Sequence, residues 1–322
     1  MHKKRFASER ATGFGEKSTQ SGSRYYNKNG NPNIERKGVP FFDQLSWFHT
    51  MLSMPRWKFW TWLLIPYVII NCFFAIIYLL VGVDHLIGID KSSGVGNFLE
   101  CFFFSAQTFT TVGYGHVSPS GITTSAIASF EAFLGVLSFA LASGLFYGRF
   151  SKPRSFLKFS DVAIIAPFKD GTALMMRTAP YKNNHLMDAE AKLTLGMKVK
   201  YNGEERNEFY TLNLDISKVN ALVLNWTIVH PIDENSPLFG MSLEDMKRSK
   251  VELLPYIKAF DEVFSNTVVA RTSYTANEII EGARFKPMYQ ASVSGDKTLM
   301  FLDKLSLVEK VTLPQLRQVE SE

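Results

Sequence analysis

Two long apolar stretches constrain the fold of this chain more than any other feature. Residues 59–83 contain no Asp, Glu, Lys, Arg or His, and residues 121–148 contain a single charge, Glu131. A helix of about 20 apolar residues is long enough to cross the hydrocarbon core of a bilayer. The sequence therefore predicts two transmembrane helices, at about 57–83 and 121–149.

A third apolar segment, residues 97–108, is too short to span the membrane and predicts a re-entrant helix between the two spans. Directly after it the chain reads TTVGYG. A potassium ion sheds its water in a narrow pore, and backbone carbonyls from four strands around an axis can replace that water. Glycine suits such a strand because it tolerates left-handed backbone angles.

The motif therefore predicts a selectivity filter over 111–115, with potassium as the permeant ion. One chain supplies a quarter of such a filter, so a homotetramer is expected. The expected ion-binding residues are Thr111, Val112, Gly113, Tyr114 and Gly115, with potassium at the carbonyl oxygens of the first four.

Basic residues flank the two spans on one side, whereas the loop between the spans is mainly acidic. By the positive-inside rule, both termini are expected in the cytoplasm. The chain is thus expected to be a multi-pass protein of the cell (inner) membrane. Arg56 and Lys58 precede the first span, Arg149, Lys152, Arg154 and Lys158 follow the second, and the loop holds Asp84, Asp90 and Lys91.

The N-terminal region reads as two segments. Residues 1–37 hold nine Lys and Arg against three Asp and Glu and many Gly, Ser and Asn, which predicts a disordered, solvated tail. Nucleic-acid binding is not expected, because no constellation of aromatic and basic residues follows the tail. Residues 38–55 include FFDQLSWFHTML, whose broad apolar face predicts a short helix in the membrane interface.

After the pore domain, expected over 56–153, the chain changes to short runs such as TALMMRTAP and ALVLNWTIVHP. Alternation of apolar and polar residues is typical of half-buried antiparallel strands. Many short strands without βα alternation predict a β-sandwich over 154–312, followed by a tail over 313–322. Only residues 242–249 predict a helix in this part. The fold class is therefore membrane α plus all-β.

Several function classes are excluded by composition. Two Cys cannot provide a disulfide framework or a four-thiolate zinc site. The six His lack metal-ligand spacing, no P-loop or GxGxxG opens a helix, and no nucleophile stands with a base and an orienting group. We predict neither enzyme activity nor a cofactor, with potassium ions as the permeant ligand.

Further motifs accompany the filter: Pro55-Arg56-Trp57-Lys58 before the first span, Gly144, Arg149 and Lys152-Pro153 around the end of the second, then His185-Leu186, Thr227-Ile228-Val229-His230, residues 233–238, Arg271-Thr272-Ser273-Tyr274 and residues 276–279. With them the chain resembles the inward rectifier potassium channels over about residues 41–311, and it is closer to the bacterial branch than to the animal branch. The resemblance implies an immunoglobulin-like cytoplasmic β-sandwich, and gating by membrane anionic lipids and by movement of that domain.

The resemblance also implies roles in the second span. It places Phe139 at the cavity position that sets rectification and Tyr147 at the helix-bundle gate. Eight residues separate them, about 80° around a helix, so both can share one pore-facing stripe; a core aromatic is the alternative for Phe139. Strong rectifiers carry an acid at this position, so we expect weak block by intracellular magnesium and polyamines. Barium is an expected blocker of the pore.

Two polar residues are assigned to filter support. Glu131 is costly inside a membrane helix and is therefore a functional candidate. It lies off the pore stripe, toward the pore helix, so support of the filter is favoured over a direct ion site. Gln107 stands where many members have a glutamate behind the filter, and Val117 stands where its arginine partner would be. The ion pair of animal members is thus missing.

A basic cluster at the inner ends of the spans matches phosphoinositide contacts of the family. Basic residues at this level suit anionic headgroups, and simple topological flanking is the alternative. The expected lipid-binding residues are Arg56, Trp57, Lys58, Arg149, Lys152 and Arg154.

Three charged residues match positions along the cytoplasmic pore. Asp188 matches a ring of negative charge, whereas Lys218 and Lys258 stand where strong rectifiers have acids. The loop 259–265 matches a constriction of the cytoplasmic domain. The resemblance assigns gate residues there, namely Phe260 and Ser265.

Two other functions are alternatives for the whole chain. Another two-span potassium channel with a different ligand gate would need a Rossmann-like βαβ pattern after the second span, and none is apparent. A non-conducting, membrane-anchored sensory β-sandwich would leave the filter motif and the re-entrant segment unexplained.

Overall fold

The computed structural model describes residues 24–35, 37–40, 46–90, 94–201, 204–292 and 295–314. The chain divides into two compact units, which are described separately below. A helical unit comprises Lys37–Lys152, and a β-rich unit comprises Pro153–Glu322 together with the described part of Met1–Arg36.

The helical unit contains the two spans and the re-entrant helix. Its two longest helices are long and apolar enough to cross a membrane, and each carries outward apolar side chains such as Leu80, which is 82% exposed, and Ile122, which is 91% exposed. Apolar surface of this extent suits lipid rather than water. The helices are α1 (Trp47–Ser53), α2 (Arg56–Val81), α3 (Gly94–Phe109) and α4 (Ile122–Phe150).

Proline and glycine set the helix ends in this unit. α2 begins directly after Pro55 and stops at Gly82, whose φ of 110° ends the helical path. Gly121, with a φ of 80°, precedes α4. Between α2 and α3, a 3-10 turn (Val83–His85) leads into β1 (Leu86–Ile87), which pairs antiparallel with β2 (Ser118–Pro119).

The β-rich unit is built on two sheets with almost entirely antiparallel pairing. One sheet contains β3 (Leu157–Phe159), β4 (Ala163–Phe168), β5 (Gly171–Pro180), β9 (Trp226–Ile232) and β13 (Ile279–Glu281), of which β13 and β4 are parallel. The other contains β6 (Leu186–Tyr201), β7 (Glu204–Leu212), β8 (Lys218–Ala221), β10 (Glu252–Asp261), β11 (Asn266–Arg271) and β12 (Tyr274–Thr275).

Smaller elements complete the unit. They are α5 (Leu243–Arg248), the hairpin of β15 (Tyr289–Ala291) and β16 (Thr298–Met300), the pair of β14 (Ala283–Phe285) and β17 (Val308–Lys310), and 3-10 turns at Ala276–Glu278 and Leu302–Lys304.

Side chains from both sheets form one hydrophobic core. Leu174 and Met176 of β5 lie in the same buried cluster as Leu193 and Leu195 of β6, and all four are fully buried. The alternation that predicted half-buried strands therefore has its apolar face in this core, and the predicted β-sandwich is confirmed.

The segment 24–35 differs from the predicted solvated tail. Tyr25 is 8% exposed, with its ring centroid 5.2 Å from that of Phe209. Its backbone N–H donates to both carboxylate oxygens of the buried Glu252, at 2.9 and 2.8 Å. Burial raises the pKa of Glu252, while the hydrogen bonds from Tyr25 and Tyr26 oppose the rise. The tail prediction is wrong here because two aromatic residues and a buried acceptor outweigh a polar composition; residues 1–23 and 36 lie outside the described part.

His230 is a buried hydrogen-bonding residue of the sandwich core and is 3% exposed. Its Nδ1 lies 2.7 Å from the carbonyl of Asn213, which only accepts, so Nδ1 carries the proton. Its Nε2 then accepts from the Ser236 hydroxyl at 2.8 Å. Burial lowers the pKa of His230, and the Asn213 hydrogen bond and the charge of Asp233 oppose this shift.

We expect His230 to make the fold acid-sensitive. Because the pKa of this residue is lower in the folded state, the unfolded chain binds the extra proton, and stability falls as pH drops below the ordinary histidine value of about 6.5. The measurement is the melting temperature of the detergent-solubilised protein on both sides of that pH. His230→Gln keeps a donor and an acceptor without titrating, so it should lose less stability on acidification. An equal loss in both proteins would contradict the prediction.

Candidate functional site

Left-handed backbone conformations occur at every second residue of the filter motif. Thr111, Gly113 and Gly115 have left-handed φ values of 59°, 51° and 80°, whereas Val112 and Tyr114 between them do not. Alternation of hand turns successive N–H groups to one side of a strand and the carbonyls to the other. The sequence anticipated this conformation for the two glycines. It did not anticipate Thr111, because a β-branched residue rarely adopts a positive φ.

The N–H side of the filter faces the end of α3. The amide of Thr111 donates to the Thr108 carbonyl at 3.0 Å, and the amides of Val112 and Gly113 donate to the Gln107 carbonyl at 3.0 and 3.3 Å. The last carbonyls of a helix have no partner within the helix, so they are available as acceptors. Gln107 thus contacts the filter through its backbone carbonyl.

Glu131 lies where α4 meets the other two long helices. It is fully buried, accepts a hydrogen bond from the Tyr78 hydroxyl of α2 at 2.6 Å, and is hydrogen-bonded to Ser105 of α3. The expectation from the sequence that Glu131 points toward the pore helix agrees with this position. The partners Tyr78 and Ser105 carry no signal in the sequence, since a hydroxyl in an apolar helix is unremarkable until its neighbours are known.

One turn beyond Glu131, a glycine brings α4 into direct contact with the end of α3. A Cβ atom added at Gly135 would lie 1.9 Å from the carbonyl oxygen of Phe109. Residues four apart share one face of a helix. Glu131 and Gly135 therefore form a single contact face of α4 against α3, immediately before the filter.

The predicted gate residues of α4 are exposed on the single chain. Phe139 is 75% exposed and Tyr147 is 76% exposed. Phe139 is therefore not a core aromatic within this chain. Both side chains are available to line a space outside the subunit.

The predicted lipid-binding residues divide into two groups. The Arg149 guanidinium donates to the carbonyls of Met51 and Met54 at 3.1 and 2.7 Å, and it lies 4.9 Å from the centre of the Phe59 ring. It therefore ties α4 to the C-terminal end of α1 and to α2, a role that the sequence did not indicate.

The remaining residues of that set are exposed: Arg56, Trp57, Lys58, Lys152 and Arg154. Arg154 belongs to the β-rich unit, whereas the other four belong to the helical unit.

Two of the charges predicted along the cytoplasmic pore, Asp188 and Lys218, form an ion pair, and Glu190 and Lys192, which carried no prediction, form another. Asp188 lies 3.5 Å from Lys218, and Glu190 lies 3.7 Å from Lys192. Lys258 of β10 stands opposite Glu190 of β6 in the sheet register. The acidic residues of this face are thus accompanied by lysines.

The predicted constriction loop is a tight turn between β10 and β11. Asp261 is fully buried and its Oδ1 accepts from the amides of Val263 and Phe264 at 2.9 and 3.3 Å. Ser265 closes the turn with a left-handed φ of 48°, and Phe260 is 41% exposed. Asp261 therefore shapes the loop from inside.

Two membrane helices, a re-entrant helix that supports an alternating filter strand, and a cytoplasmic β-sandwich define a two-span potassium channel subunit. A family model described as "Ion channel" matches residues 65–152, and one described as "Inward rectifier potassium channel C-terminal domain" matches residues 157–322. The chain belongs to the inward rectifier potassium channel family. Its homologues are ion channels and not enzymes.

Bacterial and animal relatives agree with this assignment. The inward rectifier potassium channel Kirbac3.1 of Paramagnetospirillum magnetotacticum is 31% identical over 281 residues, which cover 86% of this chain and 92% of the relative. The ATP-sensitive inward rectifier potassium channel 12 of Mus musculus is 28% identical over 293 residues, which cover 83% of this chain and 67% of the relative. A solved structure, the sporulation control protein Spo0M of Bacillus subtilis, covers 41% of this chain and 58% of its own at 11% identity, and its TM-score of 0.22 is too low to inform the fold.

Gly135→Ala should disrupt the filter. The new methyl group would collide with the Phe109 carbonyl, and backbone on both sides of the contact cannot yield as a flexible side chain would. Overpacking of this kind costs about 3 kcal/mol. We expect a lower melting temperature and reduced potassium selectivity in reconstituted protein. Gly94→Ala, which adds the same methyl in open space at the start of α3, is the control and should match the wild type; equal behaviour of the two variants would contradict the prediction.

Proposed function

We propose that four copies of this chain form a potassium-selective inward rectifier in the cell (inner) membrane. In this proposal anionic lipid and movement of the cytoplasmic domain gate the channel, rectification is weak, and both termini are cytoplasmic. The observation that carries the proposal is the alternating hand at Thr111, Gly113 and Gly115, with the filter amides bonded to α3. A strand held in this way presents its carbonyls to a permeating cation.

Exposure of the filter supports the tetramer. Val112 is 54% exposed and Tyr114 is 79% exposed on the single chain. Side chains of this size are covered when neighbouring copies surround a common axis. Four carbonyl sets around that axis would replace the water shell of potassium.

The N-terminal segment supports a common side for the two termini. Residues 24–35 contact the domain that follows the second span, through the bonds between Tyr25 and Glu252. With two spans, the chain ends on the side of the membrane where it began. The excess of basic residues at the span ends on that side supports its assignment to the cytoplasm.

Exposed cations at the helix ends support regulation by anionic lipid, phosphoinositides included. Arg56 and Lys58 stand at the first turn of α2, and Lys152 follows α4. Each basic residue near an anionic surface is worth on the order of 1 kcal/mol. Arg149 is bonded to α1, so lipid at this site would act on a helix end that is already braced.

The balance of charge supports weak rectification. Phe139 offers no carboxylate to magnesium or a polyamine, and Asp188 has Lys218 beside it. Blocking cations concentrate where negative charge is not neutralised.

In this proposal Tyr147 and the loop 259–265, with Phe260 and Ser265, form constrictions along the pathway. Glu131 and Gln107 support the filter.

Flux into liposomes tests the channel proposal. Purified protein should take up potassium in preference to sodium, barium should block this uptake, and titrated phosphoinositide should change its rate. Equal uptake of the two ions would contradict the proposed filter. Absence of flux at every lipid content, also in the gate variant Tyr147→Ala, would contradict conduction itself.

The double variant Arg56→Gln with Lys58→Gln tests the lipid site in the same assay. Loss of two charges worth about 1 kcal/mol each should raise the lipid content needed for half the effect by roughly thirtyfold. Lys310→Gln removes one exposed charge from the β-rich unit and is the control. An unchanged lipid requirement in the double variant would assign Arg56 and Lys58 to membrane topology alone.

Phe139→Asp tests rectification. A carboxylate at this position should strengthen block by internal magnesium and spermine, because a low-dielectric cavity magnifies its attraction for cations. The measurement is the inward and outward current with and without blocker. Phe139→Asn has a similar shape without the charge and should leave the block weak. Equal block in the two variants would contradict the cavity assignment.

A further inference from the structure

Four buried polar side chains form a continuous hydrogen-bonded chain through all three long helices of the membrane unit. Tyr78 and Asn71 belong to α2, Ser105 belongs to α3 and Glu131 belongs to α4, and each is 1% exposed or less. The chain runs from Tyr78 through Glu131 and Ser105 to Asn71, and it ends on the backbone carbonyl of Tyr67.

The carbonyl of Tyr67 fixes the orientation of the Asn71 amide, which is one end of the hydrogen-bonded chain. A backbone carbonyl can only accept, so the group 2.7 Å from it must be the amide nitrogen of Asn71. The other atom of that amide, Oδ1, therefore faces the Ser105 hydroxyl at 3.0 Å. Because Oδ1 also only accepts, the single proton of Ser105 is donated to Asn71.

The proton of Ser105 is then not available to Glu131. Ser105 Oγ and Glu131 Oε1 are nevertheless in hydrogen-bond contact, so a second proton lies between them. A hydroxyl carries one proton, and only the carboxyl group of Glu131 can supply the other. Its second oxygen, Oε2, accepts from the Tyr78 hydroxyl at 2.6 Å.

The surroundings of Glu131 favour a neutral carboxyl group. Within the described residues, no Lys, Arg or His forms an ion pair with Glu131. The titratable groups around it are Tyr78, which belongs to the hydrogen-bonded chain of side chains, and Cys101 of α3, which lies near Tyr78. An unpaired carboxylate buried at this depth would carry a large desolvation cost.

We propose that Glu131 is a protonated, neutral carboxylic acid that serves as a positioning residue for the selectivity filter. As the donor to Ser105 and the acceptor from Tyr78, it joins α3 to both spans. α3 in turn carries the filter amides on the carbonyls of Gln107 and Thr108. The proton assignment is independent of the proposed function, whereas the effect on selectivity rests on it.

Infrared difference spectroscopy of the reconstituted full-length protein at neutral pH tests the proton assignment. Subtraction of the Glu131→Gln spectrum from that of the wild type should leave the carbonyl stretch of a protonated carboxyl group. A carboxylate stretch in its place would overturn the proposal. This readout does not require conduction, so it stands apart from the flux test of the proposed function.

Selectivity tests the positioning role. Glu131→Gln can donate to Ser105 through its amide nitrogen and accept from Tyr78 through its amide oxygen, so its ratio of potassium to sodium flux should match the wild type. Ser105→Ala interrupts the chain and should lower this ratio about tenfold, as expected for loss of a buried hydrogen bond. Ser105→Thr restores the hydroxyl and should recover it. Loss of selectivity in Glu131→Gln, or unchanged selectivity in Ser105→Ala, would overturn the role.

If Ser105→Ala does not assemble, Tyr78→Phe is the second variant, because it removes only the donor to Oε2 while keeping the ring against Phe104, 5.0 Å away between centroids. It should also lower the ratio of potassium to sodium flux. An unchanged ratio in folded Tyr78→Phe would overturn the role of the Glu131 chain. If the wild type itself conducts no ions, the proposed function fails and the infrared result still decides the proton assignment.

Discussion

The conformation of the proposed filter strand depends on the hydrogen bonds between its amides and the last carbonyls of α3. A backbone polar group inside a bilayer has no water to bond, so irregular backbone needs a partner in the protein. The carbonyls of Gln107 and Thr108 are free to accept because helices end with unpaired carbonyls. With its amides held on that side, the filter strand turns its carbonyls to the other.

Two contacts with the spans hold α3 in position. Gly135 lets the backbone of α4 approach the carbonyl of Phe109, and the chain through Glu131 ties α3 to α2 and α4. The two contacts are one turn apart on the same face of α4. With the proposed neutral Glu131, filter support would be a property of buried, uncharged contacts, in keeping with the absence of a glutamate at Gln107 and of an arginine at Val117.

The β-rich unit is stabilised by a different set of contacts. Its core is an ordinary meeting of two alternating sheets, and charged residues that could attract blocking cations stand beside partners, as in Asp188 and Lys218. A buried carboxylate, Glu252, holds the backbone of Tyr25 to the domain. The same carboxylate explains why the N-terminal segment does not behave as its polar composition suggests.

Much of this protein could be predicted from local sequence. The spans follow from uninterrupted apolar runs, the filter from a motif in which glycine permits left-handed backbone, and the β-sandwich from alternation, because each of these signals lies within a few consecutive residues. The family follows from motifs along almost the whole chain. The position of Glu131 toward α3 also followed from helical periodicity.

The tertiary structure alone decided how distant residues meet. The partners of Glu131, the bonds from Arg149 to α1 and the burial of Tyr25 all depend on atoms far apart in the chain. A serine in an apolar helix carries no sign of the carboxyl group it will face. Such contacts are set by packing between elements, and local sequence constrains each element but not the pairing of its polar side chains.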